Sequence, residues 1–88
     1  MGKYDNSANA GKEILFKFIR ERMKEKNIEH IELAKLIDVN DSTLRRNLNN
    51  ENEMSLSTLF KVLGALELRP FFIPAEIDKT EYQRIFFS

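Results

Sequence analysis

The chain has 88 residues, 14 basic and 14 acidic, and so no net charge when its single histidine is neutral. That length fits one small domain with a modest core, and no apolar run approaches the roughly 18 residues of a membrane span. The absence of cysteine excludes a disulfide framework and thiol chemistry and makes a reducing, cytoplasmic setting the expectation.

The opening "MGKYDNSANAGK" has no apolar signal core and is expected to be a flexible tail over residues 1–10. Ile14, Leu15, Phe18, Ile19 and Met23 then recur at helical spacing. They predict a first helix over about 11–26 with those five side chains inward. Lys17, Arg20, Arg22, Lys24 and Lys26 fall mostly off that face and interleave with Glu13, Glu21 and Glu25, which predicts surface pairs one turn apart. Asn27 can end this helix in the left-handed conformation.

A short second helix is predicted over 30–37, with Ala34 small enough for a close helix approach and Glu32 suiting the start of the helix dipole. Asp38-Val39-Asn40 breaks the pattern. Asp38 can be left-handed, Val39 plugs the core and Asn40 is a good N-cap. The third helix, about 41–49, turns Leu44 and Leu48 inward and carries Arg45 and Arg46 with no acid nearby on residues 42–50. The electrostatic argument for nucleic acid is therefore local, since the whole chain is neutral.

"NNENEM" reads as a polar loop, and Ser55 or Ser57 can cap a fourth helix over about 56–68. Leu56, Leu59, Phe60, Leu63 and Leu66 are expected inward. Gly64, unfavourable mid-helix, is expected at a close helix contact. Pro70 and Pro74 bracket Phe71, Phe72 and Ile73, an extended segment that is an edge strand at most. Asp78 and Glu81 resemble a capping box for a last short helix carrying Tyr82, Ile85, Phe86 and Phe87.

Two short helices joined by a three-residue turn make a helix-turn-helix, whose second helix enters the DNA major groove. The sequence "ELAKLIDVNDSTLRRNLNN" followed by "MSLSTLFKVLGAL" resembles the lambda-repressor-like, Cro/Xre-type helix-turn-helix family over residues 13–68. The resemblance rests on His30 opening helix 2, Leu33-Ala34 within it, Val39 in the turn, Asn40 as cap, Ser42-Thr43-Leu44, and the Ser55, Leu56, Thr58, Leu59 helix start. Asp38 and Asn50 stand where many members have glycine, Glu29 replaces the usual serine cap of helix 2, and Asn47 stands where many carry an apolar residue.

What the resemblance implies is an all-α, four- or five-helix lambda-repressor-like bundle with a helix-turn-helix and a short C-terminal extended segment. It implies contact with double-stranded DNA by His30, Ser42, Thr43, Arg45, Arg46 and Asn49, with His30 and Asn49 meeting phosphates. Residues 11–68 would be the DNA-binding domain. Residues 69–88, through Phe71, Phe72, Ile73, Tyr82, Ile85, Phe86 and Phe87, would either fold back on the helical core or form a homodimer interface, and the interface is the favoured expectation, since an apolar patch of that size seldom stays exposed. The expected function is sequence-specific DNA binding as a homodimeric repressor. The alternatives are an antitoxin-type regulator that also binds a toxin-like protein, and an interaction module that has lost DNA binding. No cofactor or metal is expected: with one histidine and no zinc or calcium spacing, there is nothing from which to build an enzyme site.

Overall fold

The computed structural model describes residues 2–74, and among them it contains four helices and no strand. They are α1 (Asp5–Glu25), α2 (His30–Ile37), α3 (Asp41–Leu48) and α4 (Leu56–Ala65). α2 packs against both α3 and α4. The fold is all-α, and the three later helices start at the residues expected from the caps. α1 begins earlier, at Asp5 rather than Gly11, so most of the expected tail is helical. The Asp5 carboxylate accepts from the Gly2 backbone N–H at 2.7 Å, holding the first turn. The expected last helix, with Tyr82, Ile85, Phe86 and Phe87, lies outside the described residues. Residues 71–74 are irregular.

All four helices end the same way. Asn27, Asp38, Asn50 and Glu67 take φ between 56° and 60°, and the residue after each donates its N–H back to the carbonyl five residues earlier. The bonds run from Ile28 to Met23, Val39 to Ala34, Glu51 to Arg46 and Leu68 to Leu63, at 2.8–3.0 Å. This is the Schellman geometry, which satisfies carbonyls the helix leaves open. None of the four left-handed residues is glycine. Asn and Asp tolerate that region by local hydrogen bonding; Glu67 lacks this advantage, and its position was not anticipated.

The helix starts are equally local. Asn40 Oδ1 accepts from the Thr43 N–H at 3.1 Å, and Ser55 Oγ accepts from the Thr58 N–H at 3.1 Å. Ser55 is thus the cap of α4, and Glu29 makes no side-chain cap on α2.

The core consists of Phe16, Ile19 and Met23 of α1, Leu33, Ala34 and Ile37 of α2, Leu44 and Leu48 of α3, and Val62, Leu63 and Leu66 around α4. Val39 packs against it from the turn, as its plug role requires. Two expected faces are corrected. α1 is rotated by roughly a quarter turn, given about 100° per residue, so that Phe16 enters the core while Ile14 and Phe18 stay out. On α4, Val62 takes the place expected of Leu56 and Phe60, which are both exposed. Apolar residues surround more of each helix than one bundle contact can cover. Gly64 is also not a packing device: a Cβ there would meet nothing within 4 Å.

Candidate nucleic-acid interface

The site is built on α3. Its buried residues are Leu44, Asn47 and Leu48, which leaves Ser42, Thr43, Arg45, Arg46 and Asn49 exposed. Those five follow the i, i+1, i+3, i+4, i+7 spacing of a single helical face. Ala34, 2% exposed, lets α2 cross closely behind them, and the left-handed Asp38 turns the chain between the two helices. Arg45 and Arg46 make no hydrogen bond or ion pair among the described residues, so their guanidinium donors are open to an external acceptor. Each presents a planar fork suited to guanine O6 and N7 or to phosphate.

His30 sits at the first position of α2, about one-third exposed, with Nε2 3.3 Å from Asp41 Oδ1. That oxygen is closed to solvent and makes no hydrogen bond, so the contact is one of position. It ties the start of α2 to the start of α3. The sequence pattern points His30 to DNA alone; its proximity to Asp41 appears only in three dimensions.

Asn47 is the other departure. Its side chain is 5% exposed, and Nδ2 lies 3.5 Å from the Asn52 carbonyl and 3.4 Å from that of Glu53. Both bonds are long, but they give the buried amide partners and orient the loop after α3. Leu48 is buried beside it, so α3 turns three residues inward where the sequence suggested two.

The arginines of α1 do more than form the surface pairs that the charge pattern predicted. Arg20 Nη1 donates to the Leu48 carbonyl at 2.9 Å and Arg22 Nε to the Leu66 carbonyl at 3.0 Å. Each closes the C-terminal end of a different helix, where a cation is favoured by the dipole. Within α1 one acid pair forms, Arg22 with Glu25, at a loose 3.8 Å. Lys17 and Arg20 also line a shallow concavity with Glu13, Asn49 and Asn50. A mixed polar edge with two bases and one acid therefore adjoins the end of α3, and helical periodicity alone could not have placed it there.

The fold and this surface define a helix-turn-helix DNA-binding protein. The chain belongs to the Cro/C1-type helix-turn-helix DNA-binding domain family, whose model matches residues 18–70. The protein is accordingly a DNA-binding regulator and not an enzyme. No curated protein and no solved structure matches the chain significantly. No helix among the described residues is long and apolar enough to cross a membrane.

Proposed function

We propose that the protein is a sequence-specific, homodimeric transcriptional repressor working in the cytoplasm. Ser42, Thr43, Arg45, Arg46 and Asn49 of α3 enter the major groove, and His30 meets a phosphate at the start of α2. The observation that carries this reading is the single exposed face of α3, with two arginines open on it and Leu44 and Leu48 fixing its rotation from behind. Arg45 and Arg46 read base edges, while Ser42, Thr43 and Asn49 position the helix on the backbone. The C-terminal extension, through Phe71, Phe72, Ile73 and the apolar residues after Pro74, joins two copies so that their α3 helices reach successive major grooves about 34 Å apart on a palindromic site. With no net charge, the chain has a weak non-specific component and a shallow salt dependence.

The test is a palindromic duplex selected from a random pool, followed by fluorescence anisotropy with the wild type and with the Arg45→Ala, Arg46→Ala double variant. A lost bidentate contact costs about 1–3 kcal/mol of discrimination, so the double variant should bind at least about tenfold more weakly. Unchanged affinity in a variant with native circular dichroism would remove the arginines from the interface.

A further inference from the structure

Ile31 and Leu36 are exposed on α2, and on α1 and α4 four apolar side chains that helical spacing directs inward stand outside the bundle: Ile14 and Phe18 on α1, Leu56 and Phe60 on α4. The four on α1 and α4 are not scattered. Phe18, Leu56 and Phe60 line a groove of 540 Å³ together with Phe71 and Phe72, and Ile14 extends the stripe by one helical turn from Phe18. Among the described residues lining the groove, Arg69 is the only charged one. Neither α2 nor α3 contributes to it.

These six side chains are each 48–85% exposed, which leaves roughly 800 Å² of apolar surface, given the size of such side chains. A monomer rarely exposes a contiguous patch above a few hundred Å². Roughly 800 Å² per partner is also what a stable association of standard size buries. The surface is self-complementary in kind: a concave apolar slot lies beside Phe72, which is 85% exposed. Two such surfaces can satisfy each other about a two-fold axis. The zero net charge sets no overall repulsion against a second copy.

We infer that the α1/α4 groove is the contact between two copies of this chain, with Phe72 of each seated between Phe18 and Phe60 of the other. This rests on the homodimeric reading above and adds to it the receiving surface. The interface is then shared between the helical domain and the extension. Because the groove takes nothing from α2 or α3, dimerisation leaves both α3 faces open to DNA.

The full-length chain is tested by sedimentation equilibrium, as wild type, Phe18→Glu, Phe60→Glu and the uncharged Phe18→Ser. Phe18 and Phe60 are about half exposed, so a substituted side chain can reach water, and circular dichroism checks that the helices persist. Central aromatic anchors typically carry enough binding energy that each variant should raise the dimer Kd about 30-fold or more. Variants that stay dimeric with the wild-type Kd overturn the groove and leave the homodimer standing. A wild type that is monomeric overturns both. The DNA reading is then judged separately, by binding of the Arg45 and Arg46 variants to a single half-site duplex.

The chain has no cysteine, so a second measurement is clean. Full-length Leu56→Cys is mixed with a differently tagged Phe72→Cys chain under mild oxidation. The mixed dimer keeps Phe72 of the Leu56→Cys chain in the other chain's groove, so at protein concentrations well above the wild-type dimer Kd a disulfide between the two species is expected. Its absence overturns the proposal, whether the groove is filled by the chain's own C-terminal residues or by a different protein.

Discussion

The end of α4 offers a quantitative test of the fold. Glu67 holds φ at 57°, and its N–H bonds the Gly64 carbonyl at 3.1 Å while Leu68 bonds Leu63 at 2.8 Å. A left-handed backbone costs an ordinary L-residue about 1–2 kcal/mol, which glycine avoids. Two effects oppose the change to glycine. The unfolded chain gains freedom, a loss of roughly 0.4–1 kcal/mol. The Lys26–Glu67 ion pair, 3.2 Å long, also disappears. The Glu67 side chain is 74% exposed, so that pair contributes at most a few tenths of a kcal/mol after solvent screening. The balance predicts that Glu67→Gly stabilises the protein by about 0.5 kcal/mol, which raises Tm by roughly 2–4 °C in a domain of this size. Asn27→Gly and Asn50→Gly should gain less, because asparagine already tolerates the geometry. Urea unfolding followed by circular dichroism measures all three, with an unchanged m-value as the sign that the unfolded state is comparable. A Glu67→Gly variant less stable than wild type, or asparagine variants that gain more than it does, would refute this account of strain at the helix ends.

Gly64→Ala should stabilise by about 0.8–1 kcal/mol, since the position is helical and nothing lies where the methyl would go; the same urea titration reads it. Arg22→Ala should cost about 1–2 kcal/mol through loss of the bond to the Leu66 carbonyl, and Arg22→Lys should not restore it, because the Nε donor is gone. Asn40→Ala removes the side-chain cap of α3 and should cost about 1 kcal/mol, seen as a lower denaturation midpoint and, at a DNA concentration near Kd, a fall in binding as the helix frays.

The features that could be read from the sequence are those decided within a few residues. Asn40 and Ser55 cap the helices they precede because the acceptor and the N–H it serves are three residues apart. Asn27, Asp38 and Asn50 end helices because their own backbone preferences allow it. Leu44 and Leu48 are one turn apart, so the outward face of α3, and with it Ser42, Thr43, Arg45, Arg46 and Asn49, was already determined. That is why the candidate DNA surface and the family were legible from the chain alone.

Tertiary structure decided what local spacing leaves degenerate. Apolar residues at 14, 15, 16, 18, 19 and 23 allow more than one rotation of α1, and contact with the other helices selects Phe16, Ile19 and Met23. The same choice on α4 admits Val62 and leaves Leu56 and Phe60 outside, which creates the groove. Arg20 and Arg22 look like half of a solvated charge pattern until folding brings the ends of α3 and α4 within 3.0 Å of them. His30 meets Asp41 only because the turn sets α2 and α3 side by side. Caps and helix ends follow from neighbours along the chain, whereas which side of a helix is buried depends on neighbours across the bundle.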